Sequence, residues 1–328
     1  MSKLIGLESE YLLPRHDIAE VLALRIPEVH SEFFRCMVEV VTDPHPTAVA
    51  AVAQLASGVN RLRSAGIQLG HYASFPTARS APTMADVTTD TPYYRWVFYE
   101  ACRRAGHHPV TLRHVGVHIN LSDTDMNEDE LIRATNFLRC YSFLFVLLTA
   151  NSPFALGAPC GALSYRMCGF PNRYDPPFWQ SAESCREWLT AEEAAGRIYP
   201  GKARCWMTVC PRLPQNDLGR PFERIEIRTL DGGLGVPLPV IEGCCELAQR
   251  LMQHGHRVTE LPAKRRELQH NDVRCASQGR RALLLLRNQL VPAIDIARHW
   301  CAGIPALEDV LENGCPAERA LARLHRGT

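Results

Sequence analysis

The sequence predicts an α+β fold: a mixed or antiparallel sheet with helices packed on one side, followed by a mainly helical C-terminal portion. Three observations carry that expectation. Short strand-like segments alternate with helical ones, and several of the strands set a polar face against an apolar face, whereas a parallel sheet covered on both sides reads as near-continuous apolar runs. An apolar fraction of 46% with 22% charged residues over 328 residues is enough for a large core. From about Val240 onward helical patterning dominates. With no internal repeat and no Gly/Ser linker, the chain reads as one domain, 1–328, with a loop-rich insertion at 151–220 and the helical portion at 240–328.

Residues 3–13 read as the first strand and residues 36–42 (CMVEVVT) as the next, ended by Asp43, Pro44, His45 and Pro46. A helix follows over Thr47–Ala65, where Val49, Val52, Leu55, Val59 and Leu62 recur at three- and four-residue spacing. Pro92–Ala105 reads as helical and His114–Ser122 as a strand. Asp123 or Asp125 is then placed to cap one apolar helix running to about Leu148. The stretch 151–220 is rich in Pro and Gly, broken by a polar helix near Ala182–Ala195, and Phe222–Leu230 returns to strand.

Composition excludes several classes of function. Lys and Arg total 36 against 35 Asp and Glu, so the net charge of +1 offers no global field for nucleic acid or an anionic membrane surface. Only Lys3, Lys202 and Lys264 are lysines; the other basic residues are arginines, whose planar fork suits phosphate and carboxylate. The most apolar run, Cys140–Ala150, is eleven residues, well short of a membrane span. The N-terminus lacks a signal-peptide pattern. Thirteen scattered cysteines without a C-x-x-C pair read as reduced, mostly buried thiols, which implies a cytoplasmic protein.

The informative pattern is ionisable residues two apart on strands, which share one face. Glu8 and Glu10 do so in the first strand, and Glu39 interrupts an apolar run in the second. In the third, His118, Asn120 and Ser122 oppose Val117, Ile119 and Leu121; in the fourth, Arg224, Glu226 and Arg228 oppose Ile225 and Ile227. Any one of these is an ordinary solvent face. Together they would set several carboxylates on one concave surface, where mutual repulsion calls for a cation, and an oxygen-rich set suits Mg²⁺ or Mn²⁺. Glu32, seven residues before Glu39, could be another ligand, but a solvated strand end is the preferred reading. The segment Gly196–Ala203 almost matches a Walker phosphate loop, but Ala203 replaces the Mg²⁺-holding hydroxyl and a helical stretch precedes it; Lys202 and Arg204 read as an exposed loop.

These residues resemble the glutamate–cysteine ligase family, in particular its second family of bacterial carboxylate–amine ligases. Gly6-Leu7-Glu8-Ser9-Glu10-Tyr11 is similar to that family's G-x-E-x-E-[FY], and Val38-Glu39-Val40-Val41-Thr42 to its E-[LF]-x-T strand. Gly116-Val117-His118-Ile119-Asn120-Leu121-Ser122 resembles G-[VI]-H-x-N-x-S. Ser152-Pro153 with Ser164-Tyr165-Arg166, then Ile225-Glu226-Ile227-Arg228-Thr229-Leu230-Asp231, match further signatures, and His270–Gly279 resembles the family's N-x-w-x-A-x-x-G helix. The matches run in family order from residue 6 to about 279. The region Gly70–Tyr94 departs from the family pattern.

The resemblance implies a glutamine-synthetase-like sheet with a polar concave catalytic face, ATP and Mg²⁺ (or Mn²⁺) upon it, and activation of a carboxylate as an acyl phosphate that an amine then attacks. It implies Glu8, Glu10, Glu39 and Glu226 as metal ligands, His118 near metals and phosphates, and Arg228 on the transferring phosphoryl group. It further implies Asn120 orienting nucleotide or His118, and Arg166 clamping a substrate carboxylate. The default substrates are L-glutamate, through its γ-carboxylate, and cysteine or another amine; no nucleic acid or membrane partner is implied, and a homo-oligomer stays open. The competing readings are a guanidino-type phosphotransferase, a non-catalytic homologue acting as a partner subunit, and a metal-dependent hydrolase.

Overall fold

In the computed structural model, the described residues are 3–75, 82–105, 113–169, 176–199, 207–213 and 223–326. The first half comprises β1 (Lys3–Leu12), α1 (Ile18–Leu22), β2 (Val29–Ser31), β3 (Met37–Val41), α2 (Ala48–Ser64), α3 (Pro92–Ala105), β4 (Gly116–Asp123), α4 (Glu128–Cys140) and α5 (Ser142–Thr149). Beyond it come the small hairpin β5 (Phe154–Ala155) and β6 (Ala158–Pro159), then α6 (Tyr165–Gly169), α7 (Ala182–Ala194), β7 (Val209–Arg212) and β8 (Arg224–Asp231). The remainder is α8 (Leu238–Gly255), α9 (Arg265–Gln278), the hairpin β9 (Leu283–Leu286) and β10 (Gln289–Pro292), α10 (Ala293–Cys301), α11 (Pro305–Asn313) and α12 (Pro316–Arg326).

Six strands form one sheet in the order β2-β3-β1-β4-β8-β7, and every neighbouring pair is antiparallel. The α+β expectation holds, with the sheet antiparallel throughout rather than mixed. Alternation decides the two faces. Ile5, Leu7, Val38, Val40, Val117, Ile119, Leu121, Ile225 and Ile227 are buried under α2, α4, α5 and α8. At the end where β1 finishes the opposite face is apolar: there Leu12 and Met37 are covered by Phe34, Ala73, Val87, Phe98 and Val115. Between that patch and the far end lie the charged residues.

Register sharpens the picture. Glu10 pairs with Glu39, Glu8 with His118, and Asn120 with Glu226. Between the pairs Ile119–Ile227 and Val117–Leu230, β8 carries one residue more than β4. Arg228 and Thr229 thus form a β-bulge opposite His118, the kind of local kink that re-aims side chains.

Several element boundaries differ from expectation. In α2 the buried stripe is Ala48, Ala51, Val52, Leu55, Val59 and Leu62, while Val49 is 60% exposed, so Val49 does not belong to the core face. The single apolar helix expected after β4 is two. Asn127, not Asp123 or Asp125, caps α4, accepting from Glu130 N–H while Glu130 reaches back to Asn127 N–H. The chain bends by 48° at Tyr141 between α4 and α5. That bend lets all of α5 be buried against β8 and α9. Among the described residues no single helix is long and apolar enough to cross a membrane. Within 151–220, α7 occupies 182–194, and beyond it β7 adds an edge strand that the Pro- and Gly-rich composition concealed. The helical C-terminal portion contains the β9–β10 hairpin as well, pinned where Asn271 both accepts from Leu285 N–H and donates to its carbonyl.

Candidate active site

The charged face gathers side chains from β1, β3, β4, β7 and β8. Ligand atoms of Glu8, Glu39 and His118 lie within 4.8 Å of one another, and so do those of Glu10, Glu32 and Glu39. Glu39 belongs to both groups, so the two potential cation positions are adjacent. His118 is the buried pivot: Nδ1 stands 3.3 Å from Glu8 Oε2 and 3.8 Å from Glu226 Oε1, and Nε2 stands 3.5 Å from Glu10 Oε1. The Gly116 N–H donates to Glu10 Oε2 at 2.6 Å, which aims the other oxygen at the cluster. Asn120 donates to Glu8 Oε1 at 3.2 Å and accepts from Arg224 Nε at 2.9 Å. Its amide thus links Glu8 to Arg224.

One sequence expectation needs correction. Glu32 is not a solvated strand end; the turn after β2 carries its carboxylate into the cluster beside Glu10 and Glu39. Glu226, which the resemblance implies as a further metal ligand, stands at the edge of these groups, its Oε1 3.8 Å from His118 Nδ1. Fully buried, it accepts from Arg228 on one oxygen and Arg212 on the other. Arg212 went unnoticed in the sequence because its strand is only four residues long. The Cys210/Arg212 spacing of two was the one available signal.

The electrostatics follow from this division. Burial, together with repulsion from Glu10 and Glu8, pushes the Glu32 carboxyl up to about 8. Burial and the charges of Glu32, Glu8 and Glu10 likewise hold Glu39 well above the ordinary carboxylate range. Burial also acts upward on Glu226, but Arg228, His118 and Arg224 outweigh it and leave its carboxyl low. One part of the face is thus neutralised by arginines and the other is short of positive charge. An all-carboxylate set with one imidazole is a hard-donor site, so these residues fit Mg²⁺ or Mn²⁺.

Next to the acidic groups sits a second buried hub, where Asp231 pairs in register with Gly116. Asp231 accepts from Asn151 N–H at 2.8 Å and from the Ser152 and Ser164 hydroxyls at 2.9 Å each. Arg166 lies 3.7 Å from Asp231 and donates to the carbonyls of Leu230 at 3.0 Å and Arg228 at 2.8 Å. The Arg166 guanidinium, for which the resemblance implies a substrate carboxylate, here engages the main chain of β8. The helix α9 supports the hub, since Ala276 O accepts from both Leu163 and Ser164 N–H.

The near-Walker segment is no phosphate loop in its described part. It follows α7 rather than a strand, and Arg197 is paired with Glu192. Lys202 and Arg204 lie outside the described residues.

At the end of the face away from the apolar patch, a cleft of about 250 Å³ opens beside Glu8, with Leu4, Gly6, Val41, Thr42 and Pro44 in its lining, together with Arg224.

Comparison with known proteins gives concordant findings. The model of glutamate–cysteine ligase family 2 matches residues 8–241. A relative from Nocardia farcinica (strain IFM 10152), described as putative glutamate–cysteine ligase 2-1, is 24% identical over 347 aligned residues, covering 98% of this chain and 86% of that protein. Among solved structures, the glutamate–cysteine ligase of Francisella tularensis in complex with AMP aligns with a TM-score of 0.69 at 15% identity, over 99% of this chain and 86% of the other. A bifunctional glutathione synthetase from Pasteurella multocida aligns with a TM-score of 0.63 at 14% identity, over 98% of this chain and 48% of the other. At these identities the two structural likenesses show the fold.

Proposed function

The chain belongs to glutamate–cysteine ligase family 2 and is a carboxylate–amine ligase; from that premise we propose that it uses ATP and Mg²⁺ to activate the γ-carboxylate of L-glutamate as an acyl phosphate, which cysteine or another amine attacks. The observation that carries the finer reading is the pair of adjoining acidic groups sharing Glu39. A carboxylate is a poor electrophile with a poor leaving group, and phosphorylation supplies both deficits at once. Magnesium, when bound, neutralises charge on the phosphate oxygens.

The chain's own residues divide the remaining work. Glu8, Glu10, Glu32, Glu39 and His118 would hold the cations, with Glu226 beside them. Glu226 fixes Arg228 and Arg212 through both its oxygens, so that the Arg228 guanidinium stands at the bulge beside His118, ready to contact the transferring phosphoryl group. Asn120 holds Glu8 in place from the side of Arg224. The apolar cleft next to Glu8 gives a flat ring such as adenine a seat from which its phosphates reach the acidic groups.

The test is incubation of purified protein with ATP, Mg²⁺, L-glutamate and a panel of amines, following ADP release and product mass together. The expected product weighs one water less than its two substrates combined. A phosphorylated product without an amide would indicate a phosphotransferase instead. Absence of ADP release with every pairing would leave the ATP-dependent reading without support.

A further inference from the structure

The geometry points to Arg166 as a positioning residue that acts through the main chain, setting Arg228 and Glu10 together from beside the bulge of β8; its consequence for turnover rests on the ligase reading above. At the bulge the regular ladder is interrupted, and carbonyls there need donors from elsewhere. Arg166 supplies them. Its two terminal nitrogens donate to Arg228 O and Leu230 O, straddling Thr229, so one planar group holds both ends of the kink. Arg166 is itself fixed from behind: its backbone N–H donates to Ser152 Oγ at 3.2 Å, and its guanidinium lies beside Asp231, which Asn151, Ser152 and Ser164 also hold. The side chain is one-tenth exposed.

The other end of the device is Gly116. A β-carbon on this residue would run into the Arg166 guanidinium and press on Leu230 O, so glycine is needed here to make room for the arginine. The same residue's N–H is the donor that aims Glu10. Arg166 thus occupies the space that fixes Gly116, Gly116 aims Glu10, and the carbonyls it grips set the backbone from which Arg228 projects.

The test uses Mn²⁺ as probe, with the free ion counted by electron paramagnetic resonance, on wild type, Arg166→Lys, Gly116→Ala and the double variant. Steady-state kinetics with ATP and L-glutamate run in parallel. Lysine keeps the charge but cannot bridge two carbonyls, and alanine displaces the guanidinium without removing it. Each single variant is expected to weaken Mn²⁺ binding about tenfold or more, as loss of a group orienting a ligand does. Each should lower kcat by up to about 100-fold with KM for L-glutamate within about threefold. The double variant should be no worse than the worse single one, because both disturb one contact. Arg166→Lys that raises KM for L-glutamate tenfold or more, with Mn²⁺ binding and kcat unchanged, would make the residue a substrate clamp and overturn the inference. Variants that bind Mn²⁺ like wild type overturn it as well. Wild type that binds no Mn²⁺ overturns the metal assignment and this inference with it, whereas weakened Mn²⁺ binding in the variants beside a wild type that forms no amide overturns only the reaction. Should Arg166→Lys fail to show a cooperative melt, Gly116→Ala carries the same measurement.

Discussion

A single carboxylate, Glu39, joins the two acidic groups, and that makes it the most sensitive ligand position. Glu39→Gln keeps the shape and removes the charge shared by both sites. Turnover should fall by more than about 100-fold and Mn²⁺ affinity by more than about tenfold, beyond the loss typical of an outer-shell partner. Retained activity in steady-state assays would remove Glu39 from the metal site. Glu226 behaves differently because its partners are arginines. Glu226→Gln would leave two guanidinium groups facing a neutral amide in a buried setting, so activity should be lost and the protein should also lose about 3 kcal/mol of stability. The sign of its pH dependence follows from the lowered carboxyl: this stability is present above the ordinary carboxylate pKa and is lost as pH falls through the lower folded value. Urea melts of the variant at neutral pH would show the loss directly. Arg228→Lys, which substitutes a point charge for a fork that already spans to Glu226, should lower kcat sharply while leaving the urea midpoint nearly unchanged.

At the scale of elements, alternation along four strands was enough to set Glu8, Glu10, Glu39, His118, Asn120, Glu226 and Arg228 on one face, because a side-chain period of two is a local property. What alternation cannot show is which residues a turn or a distant strand carries to that face. Glu32 follows a three-residue strand, too short to display a period, and Arg212 reaches Glu226 only through the pairing of β7 with β8. Arg166 illustrates a second limit. A motif places the residue near the site, but whether its fork turns toward substrate or toward backbone depends on a bulge that one extra residue creates. Helix α2 shows the same distinction in energetic form, since Val49 and Leu55 read alike in the sequence. Leu55 is fully buried, and Leu55→Ala should cost about 2–5 kcal/mol, whereas Val49→Ser on the exposed side should change stability by no more than about 0.5 kcal/mol. Equal urea midpoints for the two variants would contradict the placement of the stripe.

For the whole molecule, the arrangement couples folding, metal binding and pH. Glu32 and Glu39 have carboxyls raised by burial and by one another's neighbourhood, so in the metal-free protein the folded state holds protons that the unfolded chain would release. Stability from this source is fully present below the unfolded carboxylate value near 4.5 and is lost as pH climbs through about 8, the folded value for Glu32. A divalent cation at the proposed site would reverse the trend, because it would bind the ionised carboxylates in place of the protons. The melting temperature of the metal-free protein should therefore decline between pH 4.5 and 8 from this contribution, against the opposite and lower-lying effect of Glu226. Added Mg²⁺ or Mn²⁺ should raise the melting temperature little at the acid end and most at the alkaline end. At a concentration one hundred times the dissociation constant the gain corresponds to about 2.7 kcal/mol. Glu39→Gln should lessen the pH dependence to the part that Glu32 carries and weaken the metal response with it, since Glu39 contributes to both. A metal response that is the same at both ends of the range, or one that is undiminished in Glu39→Gln, would mean that the cation binds somewhere other than this acidic face.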